Sequence, residues 1–137
     1  MDCVFCAIVQ KKIPAHILFE DADTLVFLTN EPVNEGHALV IPKKHVVDFF
    51  GLSSEALAKL MNSAQRMSET IMHALNADGL NLEMNNGAAA GQSVFHAHIH
   101  LIPRFTGDGF RHWPHKSLNS EQLKAIQEKI KSAFMSS

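Results

Sequence analysis

His96, His98 and His100 alternate with Ala97 and Ile99. On a strand, neighbouring residues of one face stand about 6.5–7 Å apart, from a rise of about 3.3 Å per residue, so the three imidazoles form a row that can address successive parts of one ligand. An imidazole of ordinary pKa, about 6.5, is largely neutral near pH 7 and can act both as a nucleophile and as a proton carrier, which suits transfer at phosphorus. Two other readings stand beside this one. Three neutral imidazoles are also a ligand set for a catalytic zinc, and alternating histidines can simply occupy a half-exposed strand. Spacing alone does not separate the three.

Cys3 and Cys6 are the only cysteines. They close too small a loop to staple a fold, so a reduced, cytoplasmic setting is expected and their task must be metal or redox chemistry. Cys-x-x-Cys is half a zinc site and needs two further ligands; the same spacing serves redox pairs. Other function classes are disfavoured by composition. The net charge is −2, with 12 Lys+Arg against 14 Asp+Glu, which gives no basic field for a nucleic acid polymer. The pairs Lys11-Lys12 and Lys43-Lys44 read as solvated edges. No apolar run approaches a membrane span, and no positive leader opens the sequence. With 137 residues, 46% hydrophobic and 19% charged, the sequence is expected to fold as one domain over 1–137.

The elements that must position these side chains follow from periodicity. Ile17-Leu18-Phe19 and Leu25-Val26-Phe27-Leu28 flank a polar turn and predict a hairpin; Ala38-Leu39-Val40-Ile41 predicts a third strand that closes at Pro42. From Ser53 to about Asn76 the spacing turns helical through Leu57, Leu60, Ala64, Met67 and Ile71, with Ser53 or Ser54 as cap. Leu80, Leu82 and Met84 alternate in a fourth strand, and Asn86 to Gly91 form a small-residue loop. A fifth strand is predicted over 94–102, with Phe95, Ala97, Ile99 and Leu101 on one face and the histidines on the other. A last helix opens at a capping box of Asn119 and Gln122, with Leu123, Ile126, Ile130 and Phe134 predicted to face inward.

Gly91-Gln92-Ser93-Val94-Phe95-His96-Ala97-His98-Ile99-His100-Leu101-Ile102 resembles the signature of the histidine triad (HIT) family. The resemblance continues through Gly36-His37-Ala38-Leu39-Val40-Ile41-Pro42-Lys43-Lys44-His45 and the opening Cys3-Val4-Phe5-Cys6-Ala7-Ile8, with Ile13-Pro14-Ala15 following. It looks more like the compact phosphoramidase branch than the larger dinucleoside-polyphosphate or galactose transferase branches. It implies an α+β fold of about five antiparallel strands with one long and one C-terminal helix, pairing as a two-fold homodimer.

The resemblance also implies roles. His98 is the nucleophile that takes a nucleoside monophosphate from a phosphoramidate or related conjugate. His100 binds a non-bridging phosphate oxygen, Ser93 hydrogen-bonds the leaving atom, and backbone around Gln92 and Ser93 cradles the phosphate. Asn85 and His37 join the site, and Val4, Phe5, Ile8 and Phe27 form the base pocket. Cys3, Cys6, His45 and His96 hold a structural zinc, which takes His96 out of the chemistry. A dinucleoside polyphosphate hydrolase, or a nucleotide-binding or protein-interaction module with little turnover, are the alternative functions. Thr29 departs from the family pattern, where an Asp grips the ribose hydroxyls; one lost charged acceptor costs about 1.5–3 kcal/mol. Discrimination of ribose from deoxyribose is therefore expected to be weaker than in relatives with Asp. Titration calorimetry with adenosine monophosphate should show Thr29→Asp binding more tightly, and equal affinity would contradict this reading of Thr29.

Overall fold

The computed structural model describes residues 2–136. Its sheet is antiparallel throughout, in the order β1-β2-β3-β5-β4, with β1 at Ile17–Glu20, β2 at Thr24–Leu28, β3 at Ala38–Pro42, β4 at Gly79–Glu83 and β5 at Ile99–Arg104. The β1–β2 turn is held by the Asp21 carboxylate, which accepts from the Asp23 and Thr24 amides at 2.9 and 2.7 Å. The expected α+β architecture of five antiparallel strands, a long helix and a C-terminal helix is the observed one.

Side-chain alternation in the central strands divides the interior into two layers. Val26, Val40, Ile99 and Leu101 face the long helix α2, Ser54–Leu75, which answers with Leu60, Ala64 and Ile71. Leu25, Phe27, Leu39 and Ile41 face the other way, onto Phe5 and Ile8 of a short helix α1, Val4–Val9. Burying such a set removes apolar surface from water at about 25 cal/mol per Å². The caps of α2 follow the sequence: the Ser53 hydroxyl accepts from the Ala56 amide at 3.1 Å, and Asn76 ends the helix in the left-handed conformation at φ 50. The helix α1 was not foreseen. Its apolar run lacks an ordinary cap, and the N-cap is the Cys3 sulfur, which accepts from the Cys6 amide at 3.4 Å.

Two expectations are corrected. The fifth strand starts at Ile99, not at 94, and Phe95 is 48% exposed instead of sharing the buried face. The residues ahead of β5 spend their hydrogen bonds on a neighbouring loop: the Ala97 amide donates to the Val46 carbonyl, and the Gln92 side chain donates to the Val47 and Val94 carbonyls at 2.7 and 3.1 Å. The second correction concerns the last helix, α3, at Ser120–Met135. Its capping box forms as the sequence indicates, yet Leu123, Ile126, Ile130 and Phe134 are exposed, and α3 belongs to neither core layer. With α2 on one face of the sheet and α1 on the other, helical periodicity still records that α3 has an apolar stripe, but not which surface covers it.

The connection that brings β3 and His37 into place depends on Gly36, whose φ is +82 and whose missing Cβ would run into the side chains of Leu75 and Pro103. Gly36→Ala combines left-handed backbone strain with overpacking and should cost about 2–4 kcal/mol. Gly107 has a similar φ of +79 but open space around it, so Gly107→Ala should cost only about 1 kcal/mol. Urea unfolding of both variants checks the contrast.

Candidate active site and metal-binding cluster

A pocket of about 370 Å³ opens on the α1 side of the sheet. Its apolar wall includes Val4, Phe5, Ile8, Phe27 and Leu39; its polar wall is His37, His98, His100 and Ser93, with Thr29, Asn30 and Glu31 at another part of the lining. Of the residues singled out in the sequence, nine therefore meet here: Val4, Phe5, Ile8, Phe27, Thr29, His37, Ser93, His98 and His100. Asn85 and Gln92 are not on the wall. Asn85 lies against Gly91, close enough that a Cβ there would be 3.5 Å from its amide nitrogen. Gln92 is buried and braces the loop, accepting from the Gly87 amide at 2.8 Å as well as donating to Val47 and Val94. The sequence reading gave no site role to Ile13, Pro14, Ala15, Leu28, Asn30, Glu31, Leu39 or Val94, which complete the lining. Strand alternation around Phe27 would have found Leu39, its cross-strand partner; Leu28 ends β2, and the others are loop neighbours with no periodic signal.

The hydrogen bonds dictate which nitrogen of each ring carries its proton. The His98 Nδ1–H donates to the His96 carbonyl at 2.7 Å, so Nε2 keeps its lone pair. The Val33 amide donates to His37 Nδ1 at 3.0 Å, which makes His37 Nε2–H the donor to His100 Nδ1, also at 3.0 Å. The remaining nitrogen of His100, Nε2, is thereby a donor. The site thus offers one basic ring nitrogen, on His98, and one N–H, on His100. Their rings are neighbours, with centroids 4.9 Å apart.

Burial keeps these rings neutral. Desolvation lowers the pKa of His37 and of His98 below the usual 6.5, and at His100 burial, reinforced by the proximity of His98 and His37, pushes it down to about 4. Thr29 is partly engaged already: its hydroxyl accepts from the Glu31 amide at 3.2 Å, closing a local turn.

His96 points out of the row. It is fully buried, and its Nε2–H donates to the Pro42 carbonyl at 2.8 Å, leaving Nδ1 bare. That nitrogen lies 3.4 Å from Cys3 Sγ and 3.6 Å from Cys6 Sγ, and His45 Nδ1 lies 3.3 Å from Cys6 Sγ. All four ligand atoms fall within 4.8 Å of one another. Around a tetrahedral zinc with ordinary bond lengths, a sulfur and a nitrogen ligand are separated by about 3.5 Å. The set Cys3, Cys6, His45 and His96 fits such an ion and can hold a metal.

Fold and site together define an α+β protein whose sheet carries a histidine-lined pocket next to four residues that can hold a metal. The HIT-domain family model matches residues 10–107, and the chain belongs to the histidine triad (HIT) family. Among relatives, the Arabidopsis thaliana protein called adenylylsulfatase HINT3 is 39% identical over 127 residues, 93% of this chain and 64% of that protein. The crystal structure of SMU.412c from Streptococcus mutans superposes with a TM-score of 0.91 at 38% identity, covering 97% of this chain and 85% of the other. A zinc-bound histidine triad family protein from Mycobacterium smegmatis superposes with a TM-score of 0.76 at 40% identity, covering 97% and 98% of the two chains. Among the described residues no helix is long and apolar enough to cross a membrane.

Metal analysis of protein purified without added metal should find about one zinc per chain, held by a closed four-ligand site. Cys3→Ser should lose most of it and lower Tm by about 5 °C or more. Full zinc content in that variant would exclude Cys3 as a ligand.

Proposed function

We propose that this protein hydrolyses or transfers the nucleoside monophosphate of phosphoramidates and related conjugates, through a covalent nucleotide on His98. The observation that carries this reading is the 2.7 Å hydrogen bond from His98 Nδ1 to the His96 carbonyl. It holds the ring in the tautomer whose Nε2 lone pair is available, within a pocket where the His100 N–H and the Ser93 hydroxyl are donors suited to a phosphate.

In the first step Nε2 attacks the α-phosphorus, and the bond from phosphorus to the leaving nitrogen breaks. The leaving amine takes up a proton from solvent water, with the Ser93 hydroxyl hydrogen-bonded to the departing atom. His100 Nε2–H donates to a non-bridging oxygen as charge accumulates there. A donor with a pKa of about 4 is neutral at physiological pH and keeps that proton, and the Val33–His37 relay fixes it on the correct nitrogen. In the second step water attacks the phosphorus, the bond to His98 breaks, and the nucleoside monophosphate is released. Two displacements replace one difficult one. The apolar wall accommodates the base. Zinc, when bound by Cys3, Cys6, His45 and His96, supplies structural bracing, since four protein ligands leave no position for a reacting water. The name adenylylsulfatase borne by the Arabidopsis relative supports chemistry on an adenylyl conjugate. Two copies of the chain form the working unit in this proposal.

The test is turnover of adenosine and guanosine phosphoramidates beside a dinucleoside tetraphosphate, with the intermediate trapped and weighed by mass spectrometry. The protein should gain the mass of one nucleoside monophosphate. In His98→Ala, turnover should fall by at least about three orders of magnitude while nucleotide binding persists. A variant that still turns over at a substantial rate overturns the nucleophile assignment.

A further inference from the structure

The pocket wall has three regions of different chemistry. His37, His98, His100 and Ser93 form one, the apolar residues around Phe5 and Phe27 a second, and Thr29, Asn30 and Glu31 a third. The function proposed above gives work to the first two, for the phosphate and for the base. The third holds Glu31, the one carboxylate on the described lining, which carries no lysine or arginine. A carboxylate in a phosphate pocket opposes binding unless it meets a different part of the ligand.

Its place in the fold keeps it apart from the phosphate. The strands run in the order β2-β3-β5, so the end of β2 lies two strand spacings, roughly 10 Å, from β5 and its His100. Phe27 and Thr29, two residues apart, both line the pocket, so the third region continues directly from the apolar wall. A nucleoside monophosphate has a matching third part. Its phosphate-bearing carbon and its base leave one face of the sugar ring, and the neighbouring 2′ and 3′ hydroxyls leave the other. With the phosphate at the histidines and the base against Phe5 and Phe27, those hydroxyls are the groups left to meet the third region.

An ionised carboxylate offers two acceptor oxygens and no donor, and a vicinal diol offers two donors side by side, so the two can close a pair of charge-assisted hydrogen bonds. Thr29 is less suited. It has a single hydroxyl oxygen, which already accepts from the Glu31 amide at 3.2 Å. Among the described residues the Glu31 carboxylate has no hydrogen bond or ion pair, and the residue is exposed.

The loop that carries Glu31 is held before any ligand arrives. Both of its ends are tied to one residue: the Thr29 amide donates to the His37 carbonyl at 3.2 Å, and the Val33 amide to His37 Nδ1 at 3.0 Å. Between them the Thr29–Glu31 bond closes a turn, and Pro32 restricts Glu31, the residue before it, to extended backbone. A group presented by so short and braced a loop loses little freedom on binding. His37 also orients His100, so the residue that sets the phosphate donor fastens this loop as well.

We propose that Glu31 is the specificity-determining residue for the sugar, its carboxylate accepting from both hydroxyls of the vicinal diol. This role rests on the function proposed above, which puts the phosphate at His98. Being exposed, the carboxylate is screened by water and grips less tightly than a buried one, in keeping with the weak discrimination expected from Thr29.

Titration calorimetry with adenosine monophosphate and its 2′-deoxy and 3′-deoxy forms tests this without requiring turnover. Wild type should bind the ribonucleotide about tenfold more tightly than either deoxy form. Glu31→Gln preserves size and should reduce that ratio to about twofold, by weakening the ribonucleotide and leaving the deoxy forms unchanged. Adenosine 3′,5′-bisphosphate brings a second anion beside Glu31. Wild type should bind it about tenfold more weakly than the monophosphate, and Glu31→Gln should recover most of the difference. A wild type without ribose preference, a preference that persists in Glu31→Gln, or equal discrimination against the bisphosphate in both proteins overturns the proposal. So does a variant that shifts all three monophosphates alike: weaker binding marks a structural role, and tighter binding marks general repulsion of anions. Phosphoramidate turnover is measured in parallel. Its absence, with the ribose preference present in wild type and lost in Glu31→Gln, refutes the catalytic function alone; turnover with an unchanged ratio refutes the role of Glu31 alone. Wild type that binds no adenosine monophosphate refutes both.

Discussion

Everything around the pocket depends on how His96 is tied down. Its ring donates to the Pro42 carbonyl on one side and presents a bare nitrogen to two sulfurs on the other, while its own backbone carbonyl accepts the proton of His98. One buried residue thus joins the end of β3, the Cys3–Cys6–His45 cluster and the tautomer of the next histidine. A hydrogen bond to a ring nitrogen is worth little net energy in folding, about 1 kcal/mol. Its larger consequence is selection: reversing the His98 tautomer would place a proton on the only nitrogen left to attack.

The second constraint is charge. Burial lowers the proton affinity of His37, His98 and His100 together, and the relay from the Val33 amide through His37 to His100 orients the protons that remain. Neutral rings avoid mutual repulsion at centroid separations near 5 Å and let a base and a donor sit side by side. The same neutrality, with no lysine or arginine on the described lining, leaves the pocket short of positive charge. Packing and chemistry meet again at Thr29, whose hydroxyl already caps a local turn and offers a ribose less than a carboxylate would.

The four-residue cluster and the pocket share one short stretch of chain, His96 belonging to the first and His98 and His100 to the second. Because the stretch ahead of β5 is not in the ladder, alternation alone would not hold it; the Gln92 brace and the Ala97–Val46 bond do so from the loop side. The cluster adds a tie to the N-terminal α1 through Cys3 and Cys6, and α1 supplies Phe5, whose ring meets both His96 and His98 edge-on at 5.8 and 5.1 Å.

The sequence by itself determined the elements whose signals are local. Alternation around Leu25 to Leu28, the Ser53 cap with its helical spacing, and the Asn119–Gln122 box each report interactions within a few residues, and each is present. The HIT resemblance and the two-residue histidine spacing named most of the pocket wall for a related reason, since residues of one type at a fixed spacing mark a face. The resemblance also assigned His96 away from the row, to Cys3, Cys6 and His45; no local pattern records that departure, because its partners lie 54, 90 and 93 residues away. Tertiary structure alone decided where the chain leaves the sheet, ahead of Ile99. It likewise decided that α1 is a helix capped by a sulfur, that Glu31 and Asn30 border the pocket, and that the stripe of α3 is not covered by its own sheet. Periodicity states that a surface is apolar; only the arrangement of the other layers states what remains to cover it.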